Sequence, residues 1–320
     1  MARPPAILLM GPTGSGKTEL AAELVARLPL EIVSVDAAMV YRGMDIGTAK
    51  PSRELLDRAP HHLIDLIDPT ESYSAARFLV DAARVMQEIH ARGRTPLLVG
   101  GTMLYFRALQ SGLARLPPAN ARIRSGLDAR AALEGWPALH AELAALDPAA
   151  ATRIRPGDRQ RIQRALEVIE LTGAPISAQQ REDLRGAASS ADLSLALAPL
   201  DRAAHDKRLA SRFDEMLRRG LVAEVQGLRS RGDLHAGLPA LRVIGYRQLW
   251  DHLDGGSSLA AACEKAVIAT RQLARRQLTW LRAEPEASWF DALEPSTPER
   301  VASQIAGWLA TRPNPAARRC

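Results

Sequence analysis

Residues 11 to 18 read Gly11-Pro12-Thr13-Gly14-Ser15-Gly16-Lys17-Thr18, a glycine-rich run closed by lysine and threonine. That composition suits phosphate. Glycines let successive backbone N–H groups turn toward one point, and a following helix adds the positive end of its dipole. Lys17 then neutralises non-bridging oxygens of a diphosphate, and the Thr18 hydroxyl is placed to ligate a Mg²⁺ shared with the phosphates. Multiplying the chain's own residue frequencies gives roughly 0.002 chance occurrences of such a pattern, so an unliganded glycine turn explains it poorly.

Two further residues belong beside such a cradle. The apolar run Ile32 to Val35 delivers Asp36, and the run Pro96 to Val99 ends in Gly100-Gly101-Thr102. In a parallel sheet the carboxyl ends of neighbouring strands face one crevice, which brings Asp36 and Thr102 near the phosphates. ATP- and GTP-using enzymes with this loop usually carry a second carboxylate after an apolar strand to hold Mg²⁺ through water, and the strand ending at Val99 supplies none. The pattern alone leaves Asp36 open as metal ligand, general base or loop cap.

The elements that must position these residues alternate in type. Ala6 to Met10 is a continuous apolar run of the kind buried on both faces. From Thr18 onward Leu20, Leu24 and Leu28 recur every four residues until Pro29 stops the helix. Apolar runs at Leu63 to Ile67 and Pro96 to Val99, with helical sequence from Ala75 to Ala91 between them, continue a parallel sheet with right-handed crossovers. After the short helical stretch Leu104 to Leu109, Leu116-Pro117-Pro118 opens a series of helices without strands. The loop Gly186-Ala187-Ala188-Ser189-Ser190 precedes a return to the sheet at Leu193 to Ala198, and Pro313-Asn314-Pro315 with Arg318 and Arg319 reads as a frayed tail. The expected fold class is α/β: a P-loop parallel sheet with helices on both faces and an inserted all-helical domain. Residues 1–115 form the first part of the core, 116–190 the helical insertion, and 191–320 the second part with the C-terminal helices.

Composition narrows the setting. The 320 residues are 47% hydrophobic and 24% charged, which excludes global disorder. No apolar stretch approaches the 18 or so residues of a membrane span, and Ala6 to Met10 is too short for a signal peptide, so the expected location is the cytoplasm. Two cysteines, Cys263 and Cys320, cannot build a disulfide framework or a cysteine zinc site. The net charge of +6 favours phosphate-bearing partners, and with only four lysines (17, 50, 207 and 265) arginine carries most of it. Residues 265 to 283 hold Lys265, Arg271, Arg275, Arg276, Arg282 and Trp280 with no acid. That reads either as a helix facing a phosphate backbone or as a solvated face with a buried tryptophan.

Taken together, GPTGSGKT, then SVDAAMVYRGMDIGTAKP from 34 to 51 and LLVGGTMLYFRAL from 97 to 109, resemble the tRNA dimethylallyltransferase family. So do RQRIQRALEV from 159 to 168, RVIGYRQ from 242 to 248 and ATRQLARRQLTWLR from 269 to 282. The resemblance implies transfer of a dimethylallyl group from dimethylallyl diphosphate to N6 of the adenosine 3′-adjacent to the anticodon, position 37, in tRNAs that read codons beginning with U. The cradle, Gly11 through Thr18, then holds a diphosphate leaving group, with Thr18 on Mg²⁺, and the missing second acid is accounted for. Asp36 is implied as the base or hydrogen-bond acceptor on N6, Thr102 as the threonine beside the reaction centre, and Arg212 as a diphosphate contact, with Arg208 one helical turn away as its competitor. Contacts to the tRNA anticodon stem-loop are implied for Asp36, Ala37, Ala38 and Met39, for Thr102 and Arg124, for Gln160, Arg161, Ile162, Gln163 and Arg164, and for Arg242, Val243, Ile244, Gly245, Tyr246 and Arg247.

The chain departs from the family pattern in places. Asp36 is followed by Ala37 where the family commonly has serine, so one hydroxyl is missing while the carboxylate is kept. Gly14 stands where alanine is common. The two cysteines preclude the zinc finger of eukaryotic relatives, so the chain resembles the compact bacterial form, expected to act as a monomer. His61 and His62 read as capping or packing residues, and Lys50 as a group facing diphosphate or RNA. Two other functions fit the cradle: an ATP-dependent small-molecule kinase, and a P-loop protein that binds RNA without modifying it.

Overall fold

The computed structural model describes residues 3–114, 116–183 and 192–311, with backbone alone for 180–183. The loop from Gly186 to Ser190, the tail from Pro313 to Arg319, and Cys320 lie outside the described residues. Two compact units are distinguished, one of Met1–Phe106 with Ser190–Cys320 and the other of Arg107–Ser189.

In the first unit, β1 (Ile7–Met10), β2 (Leu30–Val35), β3 (His61–His62), β4 (Thr95–Gly100), β5 (Leu193–Ala198) and β6 (Ser288–Asp291) form one sheet in the order β3-β2-β4-β1-β5-β6. Every pairing is parallel. All four residues of β1 are buried, as a central strand between two helical layers requires. The helices of the first half are α1 (Lys17–Arg27), α2 (Arg53–Arg58), α3 (Ala75–Ala91) and α4 (Met103–Ser111). Beyond the inserted unit, whose helices are α5 (Ala121–Glu134), α6 (Trp136–Leu146), α7 (Pro148–Arg153), α8 (Arg159–Thr172) and α9 (Ile176–Asp183), come α10 (Arg202–Arg218), α11 (Leu221–Ser230), α12 (Tyr246–Leu253), α13 (Leu259–Leu281) and α14 (Thr297–Ala310). No helix among the described residues is long and apolar enough to cross a membrane.

Two cores position the site. Leu20 and Leu24 of α1 pack with Val301 and Ile305 of α14 against Ile7, Leu9 and Leu97 of the sheet. The second core gathers Phe213, Val225, Tyr246, Leu249 and Ala266 from α10 to α13 around Val40, Tyr41 and Met44. The segment that follows Asp36 is thus anchored on buried apolar side chains. The Ser74 hydroxyl caps α3 by accepting from the Arg77 amide at 3.1 Å, which explains why that helix begins at Ala75.

The apolar run Leu63 to Ile67, expected as a strand, is a turn. Leu63 and Asp65 adopt φ of 64° and 53°, which breaks an extended chain, and strand pairing is confined to His61 and His62 opposite Ile32 and Val33. The run is apolar because Leu63 and Ile67 are buried, with Ile67 making one isolated bridge to Tyr41. Strand β6 went unread because only Phe290 of its four residues is buried.

The helical unit has its own core of Ile123, Leu127, Leu139, Leu143, Ile162 and Leu166. Within it Glu167 is fully buried and accepts from the Asn120 amide at 2.7 Å, from Arg124 Nε and Nη2 at 2.8 and 3.0 Å, and from Arg164 Nη1 at 2.6 Å. Burial resists its ionisation, but the Arg124, Asn120 and Arg164 hydrogen bonds win and hold the carboxyl below its usual range. Glu167→Ala should destabilise this unit by about 3 kcal/mol, the low end for breaking a buried ion pair because both guanidiniums reach solvent. Hydrogen exchange of the amides in α5 and α8 reads this directly, and unchanged protection there would refute it.

Candidate active site

The cradle takes its shape from its glycines. Gly14 and Gly16 sit at φ of 77° and 80°, which turns the intervening amides toward one face and starts α1 at Lys17. Gly11 and Pro12, expected to bind diphosphate, are buried behind the loop: the Gly11 amide donates to the Gly100 carbonyl at 3.3 Å, and the Pro12 carbonyl accepts from Lys17 Nζ at 2.6 Å. They shape the cradle, and its lining begins at Thr13. Lys17 also donates to Ser15 Oγ at 3.2 Å. Burial, reinforced by the neighbouring Arg212 guanidinium and opposed by Asp36 and Glu19, pulls the Lys17 ammonium from 10.5 down to about 7.

Three side chains from distant helices brace Thr13. His205 Nε2 donates to its carbonyl at 2.9 Å, Arg212 Nη1 to its hydroxyl at 2.8 Å, and Gln277 Oε1 accepts from its amide at 2.9 Å. Gln277 Nε2 donates in turn to the Gly101 carbonyl at 2.9 Å. Burial lowers the Arg212 pKa against the pull of Glu19 and Asp36. Arg208 and Arg219 line the cradle with Arg212, but of the three only Arg212 also borders the larger cavity beside it. Gln277, His205 and Arg219 were missed by sequence reasoning: Gln277 falls within the block from 269 to 282 but nothing there singles it out, no motif covers His205 or Arg219, and all three are remote from the cradle in sequence.

Strand register delivers the other two groups. Val35 and Gly100 are paired neighbours, so Asp36 and Thr102 leave adjacent strand ends. The Thr102 hydroxyl oxygen accepts from the Ala37 amide at 3.1 Å, and the Thr102 amide donates to the Val35 carbonyl at 3.2 Å. Asp36 Oδ1 accepts from the Ala38 and Met39 amides at 2.8 and 3.2 Å. Oδ2 takes no hydrogen bond from any described residue. The carboxylate is therefore a loop cap through one oxygen, with the other free of donors among the described residues.

Two cavities meet here, one of about 430 Å³ at the cradle and one of about 670 Å³ extending away from it. Thr13, Asp36, Thr48, Gly101, Arg212 and Gln277 border both. The larger cavity has apolar walls that include Tyr41, Met103, Leu209 and Phe213, and its rim carries Arg242, Arg276 and Trp280. The basic helix α13 is thus divided: Arg276 and Trp280 turn toward this cavity, while Arg271, Arg275 and Arg282 border a separate pocket with Arg202.

The residues expected at RNA separate by exposure. Ala37, Ala38, Thr102, Arg242, Val243 and Ile244 line the larger cavity, Met39 lines the cradle, and Arg247 is exposed. Gly245, at φ 94°, caps α12. The Tyr246 side chain is completely buried and cannot touch RNA, since its ring belongs to the second core. In the helical unit Gln160 and Arg161 are exposed, whereas Ile162 is fully buried in the core. Arg124 and Arg164 are engaged with Glu167, and Gln163 donates to Asp128 at 2.8 Å. Lys50 lines the cradle cavity, and its ammonium is engaged by the protein, donating to the Tyr41 carbonyl at 2.6 Å, to Asp45 at 2.7 Å and to Asp65. His62 pairs with Glu31 at 2.9 Å, and His61 Nδ1 donates to the Ala59 carbonyl at 2.7 Å while its ring borders the cradle.

A glycine-rich loop at the carboxyl ends of a parallel sheet, opening onto an apolar cavity with a carboxylate at the seam, has the geometry of a P-loop group-transfer enzyme. The IPP transferase family model matches residues 39–284. The chain belongs to that family. It is 55% identical over 308 residues to the tRNA dimethylallyltransferase of Bordetella petrii, covering 96% of this chain and 98% of the relative. The tRNA isopentenylpyrophosphate transferase of Bacillus halodurans superposes with a TM-score of 0.70 at 37% identity, covering 96% of this chain and 97% of that one. A eukaryotic dimethylallyltransferase acting on tRNA superposes with a TM-score of 0.79 at 25% identity, covering 97% of this chain and 80% of its own.

Proposed function

We propose that this enzyme transfers the dimethylallyl group of dimethylallyl diphosphate to N6 of the adenosine 3′-adjacent to the anticodon, in tRNAs reading codons that begin with U. The observation that carries the reading is the seam, where one set of residues borders both the cradle and the apolar cavity. A diphosphate held by the cradle places its allylic carbon at that seam, beside Asp36. The N6–C bond forms as the C–O bond to diphosphate breaks, and the N6 proton passes to the free oxygen of Asp36. Lys17, Arg212 and the loop amides stabilise the charge on the departing diphosphate. Thr102 holds the Asp36 loop through the Ala37 amide.

Among the described residues no group of three or more His, Cys, Asp or Glu stands together. The hydroxyl of Thr18 in the cradle fits a hard cation that takes its remaining oxygens from diphosphate and water, which suits Mg²⁺. When bound, that cation supplies positive charge to the leaving group. RNA contact is assigned to the exposed members of the expected segments, Arg242, Arg247, Gln160 and Arg161, in a cytoplasmic monomer. A kinase is disfavoured because β4 ends in Gly100-Gly101-Thr102 without an acid, and because the named relatives are prenyl transferases.

The test supplies purified protein with Mg²⁺, labelled dimethylallyl diphosphate and unmodified tRNA, with labelled ATP in parallel. Label on N6 of that adenosine is expected. ATP turnover without prenyl transfer would overturn the reading in favour of a kinase.

A further inference from the structure

Glu224 lies in the first turn of α11, outside the cradle and both cavities, yet its carboxylate gathers four donors. Oε2 accepts from the amides of Asp45 and Ile46 at 2.9 and 2.8 Å, and Oε1 from the Gly47 amide at 3.2 Å and the Tyr246 hydroxyl at 2.5 Å. Three consecutive amides converging on one point make an anion nest, here filled by the protein's own carboxylate. The Tyr246 oxygen also accepts from the Gly47 amide at 3.2 Å. Burial, with Glu224 beside it, raises the Tyr246 phenol well above its ordinary value, so it remains a donor throughout the working pH range.

The two segments joined here line the same large cavity, and one of them runs on into the cradle. Gly47 and Thr48 line the large cavity, and Thr48 and Ala49 continue into the cradle. Tyr246 begins α12 and is joined through Gly245 to Arg242, Val243 and Ile244, which line the same cavity on the side assigned to RNA. The junction leaves no slack: a Cβ on Gly47 would sit 2.4 Å from the Tyr246 ring and 2.9 Å from Leu221. A displacement of the segment from Arg242 to Tyr246 must therefore reach the cavity wall at Gly47, next to the stretch that continues into the cradle.

We propose that Glu224 is a positioning residue that couples RNA binding to donor binding, by clasping the 45–47 amides to Tyr246. The inference rests on the prenyl-transfer reading of the site. Rigid contact between two binding segments makes the ordering of one lower the cost of ordering the other, which appears as reciprocal tightening.

The experiment measures the affinity of the full-length enzyme for dimethylallyl thiodiphosphate, a slow-reacting donor analogue, with and without a saturating anticodon stem-loop hairpin. In the wild type the hairpin should tighten analogue binding by about tenfold, within the usual range of allosteric coupling. Glu224→Gln, which replaces the acceptor by a mixed donor and acceptor, should reduce that ratio to about twofold while analogue affinity without RNA stays within about twofold of wild type. Tyr246→Phe removes one of the four hydrogen bonds and should give an intermediate ratio. A purely structural role would weaken both affinities in parallel and leave the ratio alone. An unchanged ratio in Glu224→Gln, or a wild-type ratio of one, overturns the clasp. Should Glu224→Gln fail to fold, Tyr246→Phe decides by the same ratio. Prenyl transfer by the wild type is followed on the same preparations: its absence removes the functional reading itself, whereas transfer with an unchanged ratio removes only the coupling.

Discussion

Asp36→Ala is expected to lower the single-turnover rate of prenyl transfer by about 10²–10⁴-fold, the range for losing a positioned proton acceptor. Donor binding should change little, because the cradle's lysine, amides and arginines remain. The geometry gives this its force. One carboxylate oxygen is fixed by the Ala38 and Met39 amides, which sets the orientation of the other at the seam of the two cavities. Asp36→Asn separates the two roles: its amide oxygen can still cap the loop, but the side chain no longer accepts a proton. If asparagine restores most of the rate, orientation is what Asp36 supplies and proton acceptance falls. If both variants stay within tenfold of wild type, Asp36 does not act on the nucleophile at all.

The contrast between cradle and RNA segments shows what a linear sequence discloses. Residues 11 to 18 form a contiguous motif between a strand and a helix, so their conformation is encoded locally, and the glycines at 14 and 16 sit where positive φ is needed. Asp36 and Thr102 were legible through strand ends, because a parallel sheet converts two separate apolar runs into adjacent sites. Gln277, His205 and Glu224 were not, since each acts on backbone groups more than 170 residues away in the chain and a helix face carries no label for its partner. The same limit explains Ile162 and Tyr246. A motif marks a segment, whereas the helical period turns alternate members of it into the core. In the turn at Leu63 to Ile67, apolar content signalled burial correctly and strand wrongly, because the left-handed positions are held by Leu63 and Asp65 and no glycine marks the break.

Lys17 should make diphosphate binding a proton-uptake reaction. Its pKa in the free protein is about 7, lowered chiefly by burial and then by Arg212. A bound diphosphate brings negative charge against the ammonium and raises that pKa, so between the free and bound values the complex holds a proton that the free enzyme lacks. At pH 8 about 0.9 proton should be absorbed per diphosphate bound, read by calorimetry from the difference in heat between buffers of high and low ionisation enthalpy. Affinity should be greatest below pH 7 and fall by up to about tenfold per unit above it. The sign for stability follows from the same shift: between about 7 and 10.5 the unfolded chain holds the proton more tightly than the free folded one, so the penalty for burying Lys17 shrinks as pH rises through that window. Lys17→Ala should abolish the proton uptake and weaken diphosphate binding by about 10–100-fold, the loss of one charge-assisted contact. Uptake that persists in Lys17→Ala would assign the proton to another group, and wild-type binding without uptake would mean that Lys17 is already charged in the free cradle.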